Sequence, residues 1–184
     1  MLPKEYQWIE TIGTLPKMVS AALQYIGVRE YPGSNANPVI LDMARSIGVS
    51  DIYTSDETSW CALFINYLIR ITAKPQVDVK GDRYNLLRAK WLLNWGTKVT
   101  AGDEKMGDIV IIDRDGGGHV FVLIAKTKAG NYIGIGGNQG NKVSFAEFDK
   151  NRVLGIRRFY TTALPGSAKL YVVDGTGQFS TNEA

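Results

Sequence analysis

The sequence predicts an α+β fold, with helices first and an antiparallel sheet after them. Three observations predict it. Trp60, Leu63, Phe64, Tyr67, Leu68 and Ile71 recur at helical spacing, the clearest of several such stripes in the first half. The second half breaks into short β-branched or aromatic runs separated by Gly, Asn and Asp clusters, as hairpin loops require. The chain has 184 residues, 45% apolar and 21% charged, which is ordinary globular composition and enough length for one domain with its own core. Helices segregated from strands are the mark of the α+β class.

Leu15, Met18, Val19, Leu23 and Ile26 predict a first helix over 15–26. Tyr31-Pro32-Gly33-Ser34-Asn35-Ala36-Asn37-Pro38 is a dense turn cluster. Pro38 then opens a second helix, with Ile40, Leu41, Ala44 and Ile47 on one face and Gly48 as its stop. Residues 51–57 form a polar loop. The third helix follows, with Ser59 or Thr58 as its N-cap and Pro75 barring its continuation. Residues 84–95 read as a further amphipathic helix ending at Gly96. Strands are predicted at 108–113, 119–126, 131–135, 142–145 and 153–159, and 169–173 is a candidate for one more. The last ten residues are rich in Gly, Ser, Thr and Asn and are expected to be disordered.

Composition excludes several function classes. The net charge of +3 suits a polyanionic partner such as a cell wall but is too weak to argue for nucleic acid. No recognition-helix, ribonucleoprotein or zinc-finger pattern is present. No stretch approaches the ~18 consecutive apolar residues of a membrane span. The first residues carry an early acid and no apolar core, unlike a secretory signal peptide. A single Cys excludes an internal disulfide, and one Cys with one His supplies only two good zinc ligands. Asp51 and Asp56, in the acidic loop before the third helix, are the calcium candidates, but their spacing is not that of an EF-hand. The expectation is therefore no metal and no cofactor.

The one cysteine and the one histidine both stand where a thiol hydrolase needs them. Cys61, in Thr58-Ser59-Trp60-Cys61-Ala62, falls at a predicted helix start, whose positive dipole end favours a thiolate and whose N–H groups can bind an oxyanion. His119 follows Gly116-Gly117-Gly118 at the start of a strand that is apolar on both faces and therefore central. A polar imidazole at the mouth of such a strand, beside a glycine run that gives access, suits a general base. Asn138, in Gly136-Gly137-Asn138-Gln139-Gly140, follows the next predicted strand and can accept from the ring, as in Cys-His-Asn sites. Trp60, Gly118 and Gln139 are the expected substrate contacts, with Trp60 on the cleft wall. For each residue the plain alternative is structural: a buried thiol, a strand-end histidine held by a carbonyl, a simple turn. Neither glycine cluster has the strand–loop–helix context of a P-loop.

Taken together, these segments resemble the CHAP and NlpC-type peptidoglycan hydrolases, a branch of the papain-like cysteine peptidases. The chain is most similar to the phage-associated members. The matching segments are Tyr25-Ile26-Gly27-Val28-Arg29-Glu30-Tyr31-Pro32-Gly33, Ser59-Trp60-Cys61-Ala62, Gly107-Asp108-Ile109-Val110, Gly118-His119-Val120, Gly136-Gly137-Asn138-Gln139 and Val153-Leu154-Gly155-Ile156-Arg157. The resemblance implies a papain-like fold, with the nucleophile helix packed on an antiparallel sheet. It implies one catalytic domain over 1–160, with 161–184 as a C-terminal extension. It also implies an endolysin-like enzyme cleaving an amide of peptidoglycan, as an endopeptidase or an N-acetylmuramoyl-L-alanine amidase. Many CHAP members place a glutamate near the third position; here no acid is at hand, and Asn138 takes that place. Such a protein is expected to be a monomer made in the host cytoplasm. With no signal peptide and no membrane insertion, it would reach the wall with the help of an export factor such as a holin. Two alternatives are an antibacterial effector with an immunity partner and an inactive wall-binding or virion structural domain of the same fold.

Overall fold

The structure is a computed structural model that describes residues 2–33, 35–73, 77, 79–160, 162–175 and 179–180. Among the described residues three α-helices precede the sheet: α1 (Lys17–Leu23), α2 (Pro38–Ser46) and α3 (Cys61–Thr72). Seven strands follow among the described residues: β1 (Thr97–Lys98), β2 (Ile109–Arg114), β3 (Gly117–Thr127), β4 (Tyr132–Gly136), β5 (Ser144–Phe148), β6 (Val153–Arg158) and β7 (Tyr171–Val173). The α+β class is as the sequence predicts. The sheet runs β1-β6-β2-β3-β4-β5 with antiparallel neighbours, and β7 pairs parallel with the far end of β3. Among the described residues no helix is long and apolar enough to cross a membrane.

Strand β3 is the centre of the molecule, and its two faces meet two different cores. Val120, Val122 and Ile124 join the larger core, which holds Cys61, Leu63, Phe64 and Leu68 of α3. Phe121 and Leu123 face the other way, into a smaller core with Val110, Ile112, Tyr132, Phe148 and Ile156. Alternation along the strand makes this division strict. His119 pairs with Ile112 and Val120 with Ile111, so the imidazole leaves the sheet on the face of the smaller core. There Phe121 stacks on Phe148 at 4.0 Å, and the imidazole centroid lies 5.5 Å from Phe148 and 6.2 Å from Phe121.

Two devices hold the sheet around this strand. Asp108, fully buried just before β2, is gripped by Arg158 of β6 through Nε and Nη2 at 2.7 and 2.8 Å and accepts from the Lys105 N–H at 2.8 Å. A bidentate pair with further hydrogen bonds is the form in which a buried carboxylate is tolerated. At Gly134 of β4, the position a Cβ would take lies inside contact range of the Phe121 ring, so glycine there lets the aromatic pair close.

Several predicted boundaries shift for physical reasons. Helix α1 ends at Leu23, short of the predicted Ile26. The stretch predicted as one helix over 84–95 is two 3-10 segments, Arg83–Leu87 and Ala89–Asn94, broken at Arg88, which is extended (φ −107°, ψ 110°). Its buried apolar residues Leu86, Ala89 and Leu92 recur every third residue, a spacing that suits three residues per turn. Another 3-10 helix, Lys4–Thr11, precedes α1. The strand expected at 142–145 lies at 144–148, and a short strand, β1, joins the sheet edge. The candidate strand at 169–173 is β7, so the expected C-terminal extension contributes to the sheet. Helix α2 begins at Pro38 under an Asn37 cap, as the sequence predicts. Pro75 and most of the last ten residues lie outside the described residues.

Gly134→Ala is expected to lower the unfolding free energy by about 2 kcal/mol, the usual cost of overpacking a dense core. A denaturant titration checks it, and an unchanged midpoint would show that Phe121 moves aside without loss.

Candidate active site

Helix α3 starts at Cys61 because Trp60 leaves helical geometry (φ −122°, ψ 15°). Trp60 is thus the N-cap, not Ser59 or Thr58, and it makes no side-chain cap. The Ser59 hydroxyl sits 3.8 Å from the Cys61 sulfur instead. Cys61 is 3% exposed, and its sulfur meets the backbone N–H groups of Ala62 and Val120. Val120 is the residue after His119, so the sulfur and the imidazole lie beside neighbouring residues of β3, on opposite faces of the sheet. Burial pushes the Cys61 thiol above its ordinary range. The Ser59 hydroxyl, the Ala62 N–H, the Arg114 charge and the Val120 N–H all act the other way.

His119 is fully buried, and Gln139 Oε1 lies 3.2 Å from its Nε2. The amide orientation of Gln139 is fixed independently: its Nε2 donates to the Ser144 carbonyl at 2.7 Å, and the Ser144 hydroxyl donates back to the Gln139 carbonyl at 3.0 Å. A main-chain carbonyl only accepts, so the Gln139 oxygen must be the atom facing the ring. The imidazole proton then sits on Nε2, and Nδ1 carries the lone pair.

The ring partner is therefore Gln139, one residue beyond the Asn138 that the sequence pattern nominated. Asn138 adopts a left-handed conformation (φ 57°), is 2% exposed, and its Oδ1 has no hydrogen-bond partner among the described residues. The reason is local. Gly137 packs against Trp60 and Phe64, with 2.7 Å between the indole and the position a Cβ would take. The chain then turns through Asn138, and Gln139 comes round beside Gly136 and the imidazole. A signal for this was present in the sequence: glutamine has the extra methylene needed to reach back across such a turn.

The expected substrate contacts fare differently. Trp60 is not on a cleft wall. It is wholly buried, edge-on to Phe64, and its Nε1 donates to Glu30 at 2.8 Å. Burial raises the Glu30 carboxyl, as do the nearby Asp56 and Glu57 charges, while the indole bond lowers it. Gln139 is buried in its bonds to Ser144 and the ring. Gly118 is half-buried beneath the Lys90 side chain.

The two calcium candidates do separate jobs. Asp51 is exposed and bound by Arg83 at 2.8 and 2.5 Å. That contact holds its carboxyl below the ordinary range. Asp56 is fully buried and ties the preceding turn, accepting from the Tyr31 and Asn37 N–H groups at 3.0 and 2.7 Å. Among the described residues no group of three or more His, Cys, Asp or Glu side chains is placed to hold a metal.

The chain contains a single histidine, so its imidazole nitrogens can be observed without overlap. Nitrogen NMR at neutral pH is expected to show the Nε2–H tautomer, and Gln139→Ala to return a mixture of tautomers. An Nδ1–H tautomer in the parent protein would mean that the amide is reversed.

The chain matches no known protein family, and no curated protein sequence matches it.

Proposed function

We propose that this protein is a papain-like cysteine hydrolase that cuts an amide bond of peptidoglycan. The observation that supports the hydrolase reading most directly is the order of three groups: the Cys61 sulfur at the Val120 N–H, His119 immediately before it, and Gln139 Oε1 at 3.2 Å from the far imidazole nitrogen. The peptidoglycan substrate rests on the resemblance of the six sequence segments to CHAP and NlpC-type enzymes.

In this reading His119 Nδ1 takes the thiol proton and the sulfur attacks the amide carbonyl. The N–H groups at the start of α3 stabilise the oxyanion that forms. The imidazolium then gives its proton to the departing amine, leaving a thioester, and water attacks that thioester with His119 again as base. Gln139 accepts from Nε2 throughout, so the ring stays in one tautomer and one orientation. Burial of the thiol makes this base necessary, because an isolated sulfur in such a site stays protonated. Release to the wall would depend on a partner such as a holin.

One observation favours the inactive alternative: Cys61 and His119 are 3% and 0% exposed, so the site is closed to a polymer in this conformation. Mass spectrometry of purified peptidoglycan after digestion separates the two readings. The wild-type protein is expected to release fragments with a new free amine. Cys61→Ser should lower that release by about a thousandfold or more. Gln139→Ala should lower it by about a hundredfold, through loss of ring orientation, and Asn138→Ala by less than Gln139→Ala. No release by the wild-type protein would overturn the proposal. Full release by Cys61→Ser would remove Cys61 from it.

A further inference from the structure

We propose that the groove over the smaller core, beside the β3–β4 hairpin, is a second binding site, and that it takes a short acidic peptide through Lys126 and Lys150. The site itself does not depend on the hydrolase reading; in that reading the peptides of the wall are its ligands.

The placement begins with a bulge. Along β3, Val120, Val122 and Ile124 face the helical core, and strict alternation would send Lys126 the same way. The register between β3 and β4 shifts between Leu123 and Ala125, so Ile124 is an extra residue and the alternation reverses. Ala125 joins the helical core beside Ile124. Lys126 then stands directly opposite Tyr132, on the face of the smaller core. Bulges that re-aim a side chain in this way are over-represented beside functional sites.

Lys150 reaches the same place from another element. It opens the 3-10 turn Lys150–Arg152, and its ammonium donates to the Ala129 carbonyl at 3.0 Å, which leaves two of its three N–H groups. The two side chains meet at the hairpin turn. Lys150 Nζ and Lys126 Cε lie 3.3 and 3.8 Å from one point, the position a Cβ on Gly130 would take. Among the described residues neither ammonium has a carboxylate partner, whereas Lys90 and Lys128 are each paired with an aspartate at 2.7 Å. Like charges held together at a cleft concentrate a positive field, which a bound anion relieves.

The groove that Lys126 and Lys150 line has a volume of about 480 Å3 and an apolar floor of Val99, Val153 and Ile156. Glu104, the acid that lines it, is already engaged. It accepts from the Tyr132 hydroxyl at 3.0 Å and, through its other oxygen, from the Gly102 N–H at 2.8 Å. Tyr132 is 8% exposed, so its ring has no open face on which a sugar could stack. An aliphatic floor under two ammonium groups suits a ligand with small apolar side chains and carboxylates, which is an acidic peptide. Lys126 is seven residues along β3 from His119, roughly 20 Å at the usual rise of a strand. A peptide in the groove is therefore held apart from the Cys61 site, and the groove serves retention on a polymer, not chemistry.

The test is a nitrogen–proton NMR titration of the folded protein, read at the Gly130 and Tyr132 amides. The probes are the peptide Ala-Glu-Ala with both carboxylates free, the same peptide with both converted to carboxamides, and inorganic phosphate. The acidic peptide is expected to shift those amides, and the carboxamide is not. Lys126→Gln and Lys150→Gln should each raise Kd about fivefold, the size of one solvent-exposed charge contact. Lys126→Arg should hold the wild-type value, as should Cys61→Ser. Three results would overturn the proposal: no shift at those amides up to millimolar peptide, equal binding of the acid and the carboxamide, or an unchanged Kd in both Gln variants. Phosphate binding as tightly as the peptide would mean an adventitious ion only and would remove the peptide assignment. Binding retained by a protein that releases no fragments from peptidoglycan sinks the hydrolase reading and leaves the groove standing. Release of fragments without binding sinks the groove alone.

Discussion

Everything in this molecule is referred to one strand that is buried on both faces. β3 gives Val120, Val122 and Ile124 to the helical core and Phe121 and Leu123 to the sheet's own core. A shift of one residue would exchange the two sets, so the register of β3 is held by both cores at once. That constraint decides the geometry of the candidate site. The sulfur belongs to the helical side and the imidazole to the aromatic side. Phe121 and Phe148 form the wall against which the ring rests.

The electrostatics of the thiol follow from the same burial. A helix N-terminus alone would favour the thiolate, but removal from water outweighs it, and the net direction for Cys61 is upward. Four groups work against that rise, and each comes from a different part of the chain: Ser59 before the helix, Ala62 within it, Val120 on β3 and Arg114 on β2. A sulfur in this setting is a poor nucleophile without a base and a protected one with it. Asp108 presents the opposite solution on the other side of the sheet. There Arg158 meets the buried Asp108 side chain with two hydrogen bonds.

Much of this was legible in the sequence because it depends on periodicity. The stripe from Trp60 to Ile71 became α3, the Asn37-Pro38 start became α2, and the two apolar faces of 119–125 correctly marked a central strand. What sequence reasoning missed depends on where chains turn in space. The pattern of 84–95 predicts one amphipathic helix, although Leu86, Ala89 and Leu92 fit a tighter coil. Trp60 stood beside the cysteine in sequence and was expected in a cleft, yet an indole that size is worth more to the core. Asn138 and Gln139 are adjacent and chemically alike. Only the left-handed turn at Asn138 decides which amide meets the imidazole, and periodicity carries no information about that turn.

The two hydrogen bonds between Gln139 and Ser144 have an evolutionary corollary. They span the connection between β4 and β5, and through them a main-chain carbonyl on β5 determines which imidazole nitrogen holds the proton. Hairpin loops ordinarily accept insertions and deletions freely. This one does not have that liberty, because a changed length would move the Ser144 carbonyl and release the amide to rotate. Loop length and the identity of the basic nitrogen are thus inherited together. A lineage that lengthened the hairpin would have to find another partner for the ring.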